Sequence, residues 1–110
     1  MIYDIVISDQ AEIDLRGIFE YIAFELQAPE NASGQLDRLE ACIIDLDHMP
    51  KRYRQYELEP WKSRGLRVAP VDNYLILYIP DDDTKVVTII RVMYGGRDVD
   101  TQLNRFTKTK

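Results

Sequence analysis

The chain has 110 residues, 45% of them apolar and 30% charged, with a net charge of −5. That is one domain's worth of sequence, expected to fold as a single unit over residues 1–110 and to bury about two-thirds of its unfolded surface. No apolar run nears the roughly 18 residues of a membrane span, and a lone cysteine, Cys42, excludes an intramolecular disulfide and a cysteine-pair zinc cluster.

Residues Ile2 to Ile7 read as a first strand, with β-branched residues and a tyrosine. The opening "MIYDIVISD" lacks the basic flank and long apolar stretch of a signal peptide, so the cytoplasm is the expected compartment. Ser8 or Asp9 caps the helix that follows, with Glu12 placed as a capping-box partner. Ala11, Leu15, Ile18, Phe19, Ile22 and Leu26 then recur at spacings of three and four, one apolar stripe. Pro29 breaks that helix. A second helix is expected over Glu30 to Met49, its stripe being Ala32, Leu36, Leu39, Ile43 and Leu46, with Pro50 as its stop. Two helices joined this closely form an antiparallel hairpin.

From Lys51 to Pro70 the chain carries six basic residues against two acidic ones, while the remainder holds 8 basic and 17 acidic. A local positive field of this kind steers an anionic partner without naming it. Three strands follow, at Gly65 to Val71, Asn73 to Ile79 and Lys85 to Tyr94, separated by Asp- and Asn-rich turns. "KVVTIIRVMY" is apolar on both faces, which places the last strand inside the sheet. Gly95-Gly96 ends it. Asp98 then caps a short helix with Val99, Leu103 and Phe106 on one side, and "TKTK" reads as a frayed tail. The fold class is α+β: an N-terminal strand, a helical hairpin, a three-stranded antiparallel meander in one sheet, and a short C-terminal helix.

In this order the helical hairpin, "MPKRYR", "EPWKSRGLR", "PVDNYLILY" and "IIRVMYGGRD" resemble the RelE/ParE superfamily of type II toxins, over about Tyr3 to Leu103. The resemblance implies a compact antiparallel sheet packed on the hairpin. It also implies a cognate antitoxin that wraps the toxin and represses their shared operon, so that DNA is met only through the antitoxin complex. RelE-like members cut mRNA in the ribosomal A site without a metal, whereas ParE-like members inhibit DNA gyrase. Fold membership does not choose between them. Ribosome-dependent mRNA cleavage is the leading expectation; gyrase inhibition by protein binding is the alternative, and a degenerate partner-binding member is a third.

The resemblance also assigns residues. Arg67 matches the arginine that RelE-like toxins carry in the first strand after the loop, and Lys62 and Arg64 lie where they place further phosphate contacts. Tyr94 matches a terminal-strand tyrosine or histidine used in proton transfer. On the mRNA reading Arg67, Arg91 and Tyr94 are catalytic, since guanidinium groups fork onto phosphate oxygens and stay charged. Lys62, Arg64 and Trp61 then bind RNA, although covering the sheet edge is the more natural job for Trp61. Arg91 interrupts an apolar strand, so it either pairs with a carboxylate such as Glu57 or Glu59 or faces an open groove. Residues 91 and 94 point to opposite faces of a regular strand and converge only if it bends.

Two departures weaken the mRNA-cleavage expectation and make the pattern a hybrid. Glycines stand just past the last strand, where RelE-like members place arginine or lysine, and "VDTQ" offers no tyrosine. "GGRD" is closer to ParE-like chains, with Arg97-Asp98 forming a cap and ion pair. His48, at a helix end without a second histidine, reads as a surface or dipole-stabilising residue. Asp81, Asp82 and Asp83 read as a solvated turn, and Cys42 as a small buried apolar residue. No metal or cofactor is expected, for no phosphate-binding glycine loop, dinucleotide fingerprint or hydrolase triad is present. The antitoxin is expected to lay an amphipathic helix in the groove beside the terminal helix.

Overall fold

The computed structural model describes residues 2–96 and 98–106, the side chain of Phe106 excepted. The expectations for Arg97, for Phe106 as an apolar contact and for the "TKTK" tail therefore fall outside the described residues. The elements, in order, are β1 (Asp4–Ile7), α1 (Asp9–Glu20), a π-helical turn (Tyr21–Glu25), α2 (Pro29–Asp45), a 3₁₀ turn (Pro50–Arg52), β2 (Arg54–Gln55), β3 (Arg67–Val71), β4 (Tyr74–Asp81), β5 (Val86–Tyr94) and α3 (Val99–Phe106). They build one sheet in the order β1-β5-β4-β3-β2. The meander β3-β4-β5 is antiparallel as expected, and β1 joins it in parallel alongside β5. β5 thus lies inside the sheet, as its two apolar faces predict.

Ser8 joins β1 to α1. Its Oγ accepts from the Ala11 amide at 3.1 Å and donates to the Ile90 carbonyl at 2.9 Å. The expected capping box does not close: with Ser8 as the cap, the third helical position is Ala11 and not Glu12, and the Ser8 amide donates to the Ile89 carbonyl. The apolar stripe of α1 holds as far as Ile22 and then fails at Leu26, which is 56% exposed. The reason is the π turn: the Leu26 amide reaches back five residues to the Tyr21 carbonyl, so the 3.6-residue period slips. Pro29 opens α2 at its first position, where its missing donor costs nothing. That helix stops at Asp45, four residues short of Met49. The amides of Leu46, Asp47 and His48 turn onto carbonyls three residues back, and the Asp47 carbonyl accepts from the Tyr3 amide, tying the exit to the N-terminal strand.

Both faces of the sheet are covered. On the first, Ala11 and Leu15 of α1 and Leu39 and Ile43 of α2 pack on Ala69, Ile76, Tyr78, Ile89 and Val92. On the second, the loop between β2 and β3 and helix α3 bring Tyr56, Trp61, Leu66 and Leu103 onto Val68, Leu77 and Met93. Cys42 is half-buried beside the first core, and burial pushes its thiol up. The β3–β4 turn is a two-residue hairpin loop in which Asp72 takes φ 55°, a conformation Asp tolerates. Gln35 and Arg38 of α2 donate to its carboxylate at 3.0 and 2.7 Å, fastening hairpin to sheet.

Candidate functional site

The sequence places its candidate residues on two stretches, the basic loop before β3 and the end of β5. In the loop, Trp61 is 3% exposed. Its ring lies between the sheet and α3, and Nε1 donates to Asn104 Oδ1 at 3.0 Å. No face of the ring is open to a nucleobase. Lys62 and Arg64 are exposed on the turn beside it, with the Arg64 guanidinium 5.0 Å from the Trp61 ring centroid. Glu59 folds this turn by accepting from the Ser63 amide and hydroxyl at 3.0 and 2.8 Å, bonds that hold its carboxyl below the usual range. Arg67 opens β3 on the hairpin side, where Nη1 donates to the Lys51 and Tyr53 carbonyls at 3.1 and 2.7 Å. It holds the 3₁₀ turn to the sheet, together with the buried Tyr78, whose hydroxyl donates to the Pro50 carbonyl at 2.6 Å.

At the far end of the sheet, Tyr94 is 49% exposed and meets Tyr74 edge to face, ring centroids 5.9 Å apart. A Cβ on Gly96 would stand 2.6 Å from the Tyr94 ring, so any other residue there would push this half-exposed ring aside. Arg91 forms a two-pronged ion pair with Asp14 of α1, Nε to Oδ2 at 2.6 Å and Nη2 to Oδ1 at 2.8 Å. The two side chains are 12% and 13% exposed. Asp14 Oδ2 also accepts from the Val92 amide at 2.9 Å, on the side of β5 that β1 leaves bare after Ile7. Of the two expectations for Arg91, a carboxylate pair and an open groove, the pair forms, but with Asp14, 77 residues away in sequence, rather than with Glu57 or Glu59. Arg91 also borders a hollow against α3. A signal for the pair existed. Asp14 stands three residues after Ala11 and four before Ile18, inside the spacing of the apolar stripe, and a carboxylate there demands a cation.

Arg67 lies apart from the other two, and Arg91 and Tyr94 meet only at the rim of one small hollow, from strand positions that point to opposite faces. Cross-strand pairing sets Arg91 opposite Leu77 on the α3 side and Tyr94 opposite Tyr74 on the hairpin side. The register does slip near Arg91, between Leu77 and Tyr78, but the bulge falls before Arg91 and leaves it and Tyr94 on opposite faces. Arg67 pairs with Tyr78, whereas Tyr94 pairs with Tyr74. Four residues of strand between those partners put the Arg67 and Tyr94 backbones roughly 13 Å apart along the sheet.

Two concavities flank the β5 end. A groove of about 1150 Å³ runs between α1 and α2, walled by Ile13, Gly17, Tyr21 and Gly34 and floored by Tyr74, Val92 and Tyr94. Tyr74 is held protonated to higher pH by burial, with the hydroxyls of Tyr21 and Tyr94 adding to the effect. A smaller hollow of about 270 Å³ lies against α3, lined by Arg91, Val92, Met93, Tyr94, Val99 and Gln102, so that Arg91 and Tyr94 both border it. Among the described residues no three His, Cys, Asp or Glu side chains gather as metal ligands. The Asp81–Asp83 turn is more than a solvated one. Asp82 accepts from Tyr3 at 2.6 Å and pairs with Lys51, and Asp81 accepts from the Asp83 and Thr84 amides. His48 is exposed and paired with Asp47, while Arg52 binds the carbonyls at the end of the hairpin.

A five-stranded sheet with a helical hairpin on one face and a basic loop and short helix on the other is the architecture of the RelE/ParE superfamily of type II toxins. Among solved structures, the chain resembles one from the chromosomal ParDE toxin–antitoxin system of P. aeruginosa, with a TM-score of 0.68 at 17% identity over 84% of this chain and 96% of that one. A mutant of the E. coli toxin RelE in the free state gives 0.66 at 15% identity, over 96% and 99% of the two chains. The RelBE2 toxin–antitoxin complex of Mycobacterium tuberculosis gives 0.61 at 23%, over 86% and 99%. A search of curated proteins found no match. The model of the ParE toxin of the type II toxin–antitoxin system parDE matches residues 5–99, and the chain belongs to that family.

Proposed function

We propose that this toxin acts by binding alone, inhibiting DNA gyrase through protein contacts and performing no chemistry of its own. One observation carries the reading: the two guanidinium groups that RNA cleavage would aim at one phosphate are spent elsewhere, Arg67 on the Lys51 and Tyr53 carbonyls and Arg91 on Asp14. Phosphoryl chemistry needs its charges preorganised around the reacting atoms, and these sit on different faces and strands. The ParE family match supports the same reading. The toxin works in the cytoplasm beside a cognate antitoxin, which would lay an amphipathic segment on exposed apolar surface. The operon DNA would be met through that complex.

The mRNA-cleavage reading keeps one favourable observation, the exposed Lys62 and Arg64. There Arg67, Arg91 and Tyr94 would act on the scissile phosphate and Lys62, Arg64 and Trp61 would dock RNA, after a rearrangement that breaks the Arg91–Asp14 pair. Two assays on the purified toxin decide. Added to gyrase, ATP and relaxed plasmid, it should block supercoiling; added to a translating ribosome–mRNA system, it should leave the message intact. Codon-linked cuts with normal supercoiling would overturn the proposal, and neither effect would leave a degenerate, partner-binding member.

A further inference from the structure

The negative charge of this chain sits on its helical hairpin. Residues 9–45 carry nine acidic and two basic residues, whereas the rest of the chain carries 10 acidic and 12 basic. Asp14 and Asp45 are committed to Arg91 and Arg52. The other seven carboxylates, Glu20, Glu25 and Glu30 among them, are exposed and, among the described residues, enter no ion pair. Of the two cations, Arg38 pairs with Asp72, and Arg16 has Glu12 and Glu20 one helical turn to either side. The hairpin therefore presents a field of one sign, which favours a cationic partner.

The larger groove opens between these two helices. Four of the ten large apolar side chains left exposed among the described residues, Ile13, Tyr21, Leu26 and Tyr94, line it. Of its charged lining, Asp14 and Arg38 are paired and Glu30 is not. Gly17 of α1 and Gly34 of α2 lower its walls, and a Cβ built on Gly17 meets nothing within 4 Å. At about 1150 Å³ the groove exceeds the roughly 300–1,000 Å³ of small-molecule sites, so a polymer segment is its natural occupant. Asp14 decides the form of that segment. Its carboxylate takes the Val92 amide, the donor that a strand added beside β5 beyond the end of β1 would need. An occupant must then satisfy its own backbone, as a helix does. We propose that the groove receives a basic, amphipathic helix of a protein partner, with its apolar side chains over Gly17 and its Lys and Arg toward the hairpin carboxylates. The assignment is independent of the gyrase reading.

The probe is a labelled synthetic peptide of about 18 residues, long enough to be helical in water, with Leu at i, i+3, i+4 and i+7 and Lys on the flanks. A twin carries Glu in place of Lys. By fluorescence anisotropy the Lys helix should bind the purified toxin about tenfold more tightly than its twin, with the advantage shrinking as KCl is raised. Gly17→Leu adds a side chain where the groove is empty and improves helix propensity, so the melting temperature should hold or rise. Its affinity for the Lys helix should fall about tenfold. Glu30→Gln should weaken the same helix by about two- to fivefold, near the worth of one exposed ion pair. Equal affinity for the two peptides would overturn the basic assignment. No binding, or binding that Gly17→Leu leaves unchanged, would overturn the groove as the site. A wild-type toxin that sediments as a dimer, with Gly17→Leu a monomer, would overturn the proposal in favour of a second copy of this chain. Supercoiling assays report on the gyrase reading separately, whichever way the peptides behave.

Discussion

The two faces of the sheet are built in different ways. The hairpin face is a continuous apolar core, with Ala11, Leu39, Leu46, Ile76, Tyr78 and Ile89 all at 0% exposure. The opposite face is smaller and tethered: from α3 Leu103 is buried in it and Val99 packs at its margin, and two hydrogen bonds hold the helix there, Tyr56 to Asp100 at 2.8 Å and Trp61 to Asn104 at 3.0 Å. Apolar burial is cooperative and spread over many atoms, whereas a tether is a single bond worth about 1 kcal/mol net. The hairpin face should therefore set global stability, and the loop and α3 should open first.

That contrast can be broken at several points. Leu39→Ala should cost the most, in the upper half of the roughly 2–5 kcal/mol seen for such truncations, because helices on a sheet collapse poorly around a void; urea unfolding measures it, and a loss below 1 kcal/mol would mean the hairpin is not the main core. Asp14→Ala should follow at about 3 kcal/mol, since it strands the Arg91 guanidinium in a place only 12% exposed. Asp14→Ala/Arg91→Met should recover much of that loss; if it does not, the pair is not what links α1 to β5. Trp61→Phe keeps the apolar contact and removes the bond to Asn104. About 1 kcal/mol should vanish, seen chiefly as faster amide exchange in α3 with the hairpin unchanged.

The smallest effect concerns pH. Asp72 is held below the ordinary aspartate value of 3.8 by its bond from Arg38 and then by Gln35. A depressed folded value means the unfolded chain takes up its proton first as pH falls. The contribution is therefore complete above the unfolded value and disappears below it, through the folded one. Urea midpoints of the wild type should drop between pH 5 and pH 2–3 (roughly, given the ordinary carboxylate range) more than those of Asp72→Asn. Identical slopes would show that the turn is not fastened to α2 in solution.

Much of the hairpin face was legible from period alone. The stripes of α1 and α2 named Ala11, Leu15, Ala32, Leu39, Ile43 and Leu46, all of them buried. Where the period misled, a specific event intervened. The π turn put Leu26 on the surface, and the pairing of residues 2 and 3 with the chain after α2 ended that helix early. The short β2 passed unnoticed because two exposed residues carry no alternation to read. The candidate site was legible as residue types and not as an arrangement. Lys62 and Arg64 are exposed, as a basic turn predicts, but the partners of Arg67 and Arg91 lie 14–16 and 77 residues away, respectively, and spacing can mark Asp14 as needing a cation without saying which one.

By itself the sequence determined the helices, the meander and the segregation of charge, because propensity, periodicity and turn chemistry act over a few neighbours. Only the tertiary structure decided which carboxylate meets Arg91, that Trp61 is enclosed, and that Arg67 serves the backbone. Each of those depends on chain segments brought together by burial of apolar surface, and a side chain's partner is fixed only once that packing has chosen what stands beside it.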